Sequence, residues 1–228
     1  MSGSRTSGMP DKMTKKDKNR AAILKAALPH VAFDGWTPAV MRHAAEEAGI
    51  GHEAMRVAFP GGVNDLIDYF LADGDRRMAE VLAQRGLDNM KIREKITLAV
   101  RTRIEADAAH REALRRAVTY AALPVAGTLG PRSLYRTVDA IWRATGDSST
   151  DFNFYTKRAT LAAVYSAVTL HWLGDETDGF AGTWAFLDRR IEDVMRIEKA
   201  KAGLRGLAEK LPDPVGLMGR LRYPGPRG

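Results

Sequence analysis

The chain has 228 residues, 45% of them hydrophobic, enough for one sizeable core, and a second full domain is not expected. It contains no cysteine, which excludes disulfides, thiolate metal sites and a cysteine nucleophile. The net charge of +7 sits in the tails, because residues 1–20 carry +4 and residues 196–228 carry +5, whereas the body between them carries −2. Positive ends on a nearly neutral body suit an anionic surface, membrane headgroups or nucleic acid, unless they are merely solvated.

Every extended segment repeats its apolar residues with a 3.6-residue period and none alternates like a strand, so the predicted fold is all-α, with about nine to ten helices. A first helix, roughly 15–33, carries Ile23, Leu24, Ala27, Leu28 and Val31, with a kink expected at Pro29. Gly35 stops it, and Thr37 caps the next helix with Pro38 in the first turn and Trp36 and Met41 placed as a hydrophobic staple. That second helix runs to Ala48, Gly49 turns the chain, and a short third helix covers 52–59 before Pro60-Gly61-Gly62. The fourth starts near Val63 or Asn64, sets Leu66, Ile67, Phe70 and Leu71 on one face with Met78, Val81 and Leu82 continuing it, and closes at Gly86. The fifth starts at Asp88, carries Ile92, Ile96, Ala99, Val100 and Ile104, and turns its Arg and Glu residues to solvent.

A sixth helix ends at Leu123-Pro124. Residues 123–131 are apolar yet rich in helix breakers, which predicts a bent connection that lines a cavity or crosses the core. The seventh helix carries Leu134, Tyr135, Val138, Ile141 and Trp142 and stops at Gly146. The eighth, capped by Ser149 or Thr150, sets Phe154, Arg158, Leu161, Tyr165 and Trp172 near one stripe, while Ala159, Ala162, Ala163 and Ser166 form a strip on which another helix can sit closely. Phe154, Tyr155 and Arg158 combine apolar area with charge, as interface anchors do, although each ring could equally serve the core. After a turn at 174–179 the ninth helix places Phe180, Trp184, Leu187, Ile191, Val194 and Met195 on one stripe. Two such helices commonly pair with their own copies, so a homodimer is expected, burial within the monomer being the alternative. Leu204, Leu207 and Leu211 keep helical register until Pro212 and Pro214, and Val215, Leu217, Met218 and Leu221 interleave with Arg220 and Arg222. Such a tail suits a membrane interface or disorder equally well.

No apolar run is long enough to span a bilayer, and the first 20 residues fit neither a secretory signal nor a transit peptide. The expected setting is the bacterial cytoplasm, a processed protein being the alternative. Residues 44–51, followed by a short helix and Phe59-Pro60, resemble the helix-turn-helix of TetR-type regulators. Its reading helix offers only His52, Glu53 and Arg56, and Gly61-Gly62-Val63 replaces the usual phosphate-contacting residues, so nucleic acid is not an expected partner. The chain divides accordingly into a basic tail at 1–18, a helix-turn-helix-like unit at 19–62, a larger helical and dimerisation unit at 63–201 and a basic tail at 202–228.

Catalytic patterns are missing. His30, His43, His52, His110 and His171 lack the paired spacings of a zinc site, Asp107 with His110 is one carboxylate-His pair read as a solvated face, and no phosphate loop or nucleophile elbow occurs. No enzyme, cofactor or metal is therefore expected.

Gly35-Trp36-Thr37, residues 59–62, the run Gly146 to Arg158 with its Asp151-Phe152-Asn153-Phe154-Tyr155-Thr156-Lys157-Arg158, Ala162 to Tyr165, and Thr183 to Leu187 together resemble the ubiquinone biosynthesis accessory family, the lipid-binding partner of the demethoxyubiquinone hydroxylase. The resemblance covers roughly 20–200. It implies a TetR-like dimer that binds an isoprenoid lipid, a quinone intermediate or phospholipid inside and docks onto the hydroxylase through Asp151, Phe154, Tyr155 and Arg158, with peripheral contact to the inner membrane. A Trp often stands where Phe154 does, and residues 203–222 match the family's membrane helix poorly. The lipid cavity is expected between the fourth and eighth helices, lined by Leu71, Met78, Ile96, Val100, Leu123, Val125, Leu134 and Trp142. A TetR-type repressor answering an apolar ligand is the competing reading.

Overall fold

A computed structural model describes residues 13–146 and 152–208, which form nine α-helices and, among the described residues, no strand. The helices are α1 (Lys15–Asp34), α2 (Pro38–Glu47), α3 (His52–Ala58), α4 (Val63–Arg85), α5 (Ile92–Glu105), α6 (Arg111–Ala121), α7 (Leu129–Ala144), α8 (Phe152–Gly174) and α9 (Ala181–Ala208). Caps set several of these limits. Thr14 and Asp17 form a reciprocal capping box on α1, and the Thr37 hydroxyl accepts from Val40 N–H at the start of α2. Gly35, Gly49, Gly62 and Gly146 all take positive φ at helix ends, where a side chain would be strained.

Several limits differ from those read in the sequence, three of them most. Helix α5 begins at Ile92, where the Glu94 carboxylate accepts from Lys91 N–H at 3.0 Å, rather than at Asp88. Helix α7 begins before Pro131, because a proline in the first turn gives up an N–H that has no partner within the helix. Helix α9 runs on to Ala208 and absorbs the start of the separate tail segment. Pro29 lies inside α1, which continues through it to Asp34. Residues 1–12, the caps proposed at 149–150 and the tail from 209 onward lie outside the described residues.

Helices α1 to α3 bury Ile23, Leu24, Ala27 and Val31 against Val40, Met41, Ala44, Ala45, Met55 and Ala58. Arg20 Nε donates to the Ala58 carbonyl at 2.9 Å and locks α3 onto α1. This small unit is fastened to the rest through Trp36, whose Nε1 donates to the Ala113 carbonyl at 3.0 Å and whose ring meets Phe70 at 5.4 Å. Beyond it α4 packs along α7, α5 lies against α4, α7 and α9, and α8 is held between α7 and α9, with Trp172 fully buried. Among the described residues no helix is long and apolar enough to cross a membrane.

Candidate ligand cavities and docking surface

The stacking of α4 to α8 leaves a cavity of about 310 Å³. Its apolar wall includes Leu71, Leu114, Val118, Leu134 and Leu170, and small residues such as Ala117 and Gly130 keep it open. Gly130 lets α7 approach α6, since a Cβ there would stand 3.3 Å from the Ala121 carbonyl. The wall turns polar around Arg103, which shares Asp75 with Thr137 and lies close to Tyr165, and Ser133 and Thr169 add hydroxyls to the lining. A greasy chamber with one polar end suits an amphiphile whose polar head is uncharged or weakly charged.

Arg103 organises that end. Its side chain is fully buried; Nε donates to Asp75 at 2.7 Å, Nη1 to Asp107 at 2.6 Å and Nη2 to the Leu71 carbonyl at 3.0 Å. Asp75 also accepts from the Thr137 hydroxyl at 2.8 Å and from Arg136 Nε at 3.1 Å, and Asp107 from Arg77 at 3.0 Å. Burial opposes the guanidinium's charge, but Tyr165, Asp107 and Asp75 around it more than offset this and raise its pKa above the ordinary value. Burial likewise raises the pKa of the Tyr165 phenol, with Arg103 opposing, so the cavity wall presents a neutral hydroxyl at physiological pH. The guanidinium passes over Gly74, where a Cβ would sit 2.6 Å from it. None of this polar set was expected from the sequence: Asp107 was placed on a solvated face and the Arg residues of the fifth helix in solvent, whereas both Asp107 and Arg103 are fully buried. The i,i+4 spacing of Arg103 and Asp107 was the one available signal.

A second cavity of about 400 Å³ opens between α5, α7, α8 and α9. Ile92, Ile96, Leu161, Val164, Ile191 and Val194 make its apolar lining, with Arg93, Lys157 and Trp142 at its polar positions. The indole Nε1 of Trp142 is buried and finds no hydrogen-bond partner among the described residues. Lys157 Nζ lies over the same ring, 5.5 Å from its centre. Helix α8 thus serves both chambers, the second with its first half and the first with its second half.

The residues predicted to line one cavity are distributed over three places. Leu71 and Leu134 line the first, Ile96 and Trp142 the second, and Met78 and Val100 are packed wholly in the core. Leu123 and Val125 correct the expectation for the 123–131 connection: they flank or form a surface 3-10 turn and are 49% and 65% exposed. Within that turn only Ala126 is buried, in the core and not in the cavity wall, and Gly130 alone of the expected connection reaches the cavity.

The predicted docking residues separate too. Tyr155 is 70% exposed at the start of α8, on a face continued by exposed Ala159 and Ala163. Arg158 corrects the expectation, because it is buried and donates from Nε and Nη2 to Asp139 of α7 at 2.9 and 2.8 Å. It faces the same way as Leu161, Tyr165 and Trp172, the inward stripe of α8. Phe154 lies in the first turn of α8, and Asp151 is outside the described residues.

The architecture is that of the TetR class: a TetR transcriptional regulator from Nitrosomonas europaea ATCC 19718 matches it with a TM-score of 0.63 over 77% of this chain and 97% of that one, at 20% identity, a likeness of fold alone. Within that fold, residues 128–198, which span α7, α8 and most of α9, match the COQ9 family model, and the resemblance to the ubiquinone biosynthesis accessory family is borne out. The chain is 32% identical to the mitochondrial ubiquinone biosynthesis protein COQ9 of Rattus norvegicus, over 86% of this chain and 64% of that protein. It is 31% identical to the Homo sapiens protein, over 86% and 63%, and 28% identical to a probable Dictyostelium discoideum counterpart, over 78% and 60%. The chain therefore spans less than two thirds of the length of these relatives. The expected setting, bacterial cytoplasm with peripheral association at the inner membrane, is overturned by them, since they are named as mitochondrial proteins.

Proposed function

We propose that this chain is a non-catalytic accessory protein of ubiquinone biosynthesis, which holds an isoprenoid lipid or quinone intermediate in the α4–α8 cavity and presents it to the demethoxyubiquinone hydroxylase. The observation that carries this reading is the chamber itself: apolar over most of its wall and polar at the end built by Arg103, Tyr165, Ser133 and Thr137. Apolar surface withdrawn from water is worth about 25 cal/mol per Å², so burying even the first isoprene units lowers the cost of taking such a molecule out of a bilayer. At about 310 Å³ the chamber is near the small end of ligand sites, which run roughly 300–1,000 Å³. It accepts a ring and the start of a tail rather than a whole polyprenyl chain. The names of the relatives support the pathway, and exposed Tyr155 at the start of α8 supports a docking face there. A homodimer through α8 and α9 fits the exposed small-residue strip at Ala159 and Ala163.

A DNA-reading role is favoured only by the fold. Helix α3 turns Glu53 to solvent, and Arg56, its nearest cation, lies 3.7 Å from that carboxylate, a poor surface for phosphate. The test is mass spectrometry of protein purified without harsh detergent, paired with co-purification of the hydroxylase. A stoichiometric prenylated lipid, and loss of hydroxylase association in Tyr155→Ala with the lipid retained, are the expected results. An empty chamber in every preparation, specific operator binding at physiological salt, or turnover by the isolated chain would overturn the reading.

A further inference from the structure

Away from both cavities, His30 of α1 and His43 and Glu47 of α2 bring three ligating side chains together, the one such grouping among the described residues. His43 and Glu47 are four residues apart and so rise from the same face of α2. His30 meets them from across the helix contact. Its Nε2 lies 2.9 Å from Glu47 Oε2, its ring meets that of His43 edge to face with centres 4.8 Å apart, and one ligand atom from each of the three lies within 4.8 Å of the others. The thirteen-residue separation of the two histidines hides this pairing from any reading of local spacing.

The geometry is close to what a small divalent ion needs. Bonds of about 2.0–2.2 Å at tetrahedral angles put neighbouring ligand atoms about 3.3 Å apart. The His30–Glu47 edge is already near that length, and His43, exposed to solvent, closes the other two edges by turning its side chain. The hydrogen bond between His30 and Glu47 is what an ion would replace, the imidazole carrying its proton on the ring nitrogen that does not ligate. The His30 side chain is 34% exposed and that of Glu47 53%, so an ion can enter from water and keep water as its fourth ligand. Two imidazoles and one carboxylate select zinc, nickel or copper over magnesium and calcium, which favour all-oxygen sets.

We propose that His30, His43 and Glu47 form a divalent transition-metal site, with zinc as the natural occupant, that pins α2 to α1 in the helix-turn-helix-like unit. Because Val31 and Ala27 of α1 and Ala44 and Ala45 of α2 form the buried seam beneath it, a bound ion would resist separation of the two helices rather than create a new contact. The site is independent of lipid binding.

The experiment uses the full chain freed of metal by chelation, with calorimetric titration and thermal melting in zinc chloride and, separately, magnesium chloride. One zinc per chain, a melting midpoint raised by several degrees at saturation and no response to magnesium are expected. His43→Ala and Glu47→Gln should each weaken zinc binding at least tenfold and remove the shift, while a triple His52→Ala, His110→Ala, His171→Ala variant keeps both. His43, Glu47 and His52 are exposed while His110 and His171 are half-buried, so each variant is compared with its own metal-free melting midpoint, and a helical dichroism spectrum equal to the parent's confirms that the variants fold. Absence of zinc binding in the parent, or binding that survives both His43→Ala and Glu47→Gln, would overturn the proposal.

Discussion

Arg103 shows how one residue can give a hydrophobic chamber its polar end. A buried guanidinium is tolerable only when every donor is directed at an acceptor, and here two carboxylates and a carbonyl receive it. Replacing it with Met preserves much of the volume but leaves Asp75 and Asp107 under-neutralised. Because Arg136 and Arg77 still reach those carboxylates, the loss should fall near the low end of the range for breaking a buried pair, about 3 kcal/mol. Gly74→Ala acts on the same spot by crowding, at roughly 1–3 kcal/mol, since the guanidinium cannot move away without giving up its partners. Denaturant titration of both variants and the double variant checks this; the two effects should combine to less than their sum, because each disturbs the same network. The sequence announces this residue faintly. The Arg103–Asp107 spacing is visible, but Asp75 and Arg136 come from helices distant in the chain, and burial of a charge is decided by those long-range partners.

At the scale of elements, the turn between α8 and α9 is held by one carboxylate. Asp175 accepts from the N–H and hydroxyl of Thr177 at 2.9 and 2.6 Å and from those of Thr183 at 2.7 and 2.6 Å. These bonds, those of Thr177 first, hold its pKa well below the usual carboxylate range. Its folded value is lower than its unfolded one, so the turn is stabilised at all pH above the unfolded value of about 3.9 and loses that stabilisation as pH falls further. Asp175→Asn should therefore lower stability at neutral pH and flatten the decline below about pH 4, measured as denaturation midpoints from pH 2 to 7. An unchanged acid limb in the variant would mean that another carboxylate sets it; Asp68, also lowered by Arg136 and Ser133 against its burial, is the next candidate. Features of this local kind were the legible part of the sequence. Thr37, Pro38, Gly35 and Gly86 mark helix ends through their own conformational preferences, and those ends were read to within a residue. The starts of α5 and α7 were misjudged, because Lys91–Glu94 pairing and tolerance of Pro131 depend on which backbone groups lack partners.

Over the whole molecule, α8 divides two chambers, and which of them holds a ligand is a question of packing that apolar periodicity cannot answer. Met78 and Val100 are as apolar as Leu71 and Leu134, yet the first pair fills the core and the second lines space, because void volume arises from how helices cross and not from residue type. The two chambers can be tested separately from the same helix. Ser166 enters the first with a small side chain and Thr160 enters the second, six residues earlier. Ser166→Phe should occupy the chamber beneath Arg103 and Tyr165, reduce the lipid recovered per chain at least tenfold, and leave the fold intact, since the added ring fills space that is already empty. Thr160→Phe should leave lipid recovery unchanged if the α4–α8 chamber is the binding site. Mass spectrometry of both variants, normalised to protein, gives the comparison directly. The reverse pattern would transfer the lipid to the chamber beside Trp142, where a buried indole N–H and two basic side chains would favour an anionic head, and the polar end built by Arg103 would then serve stability alone.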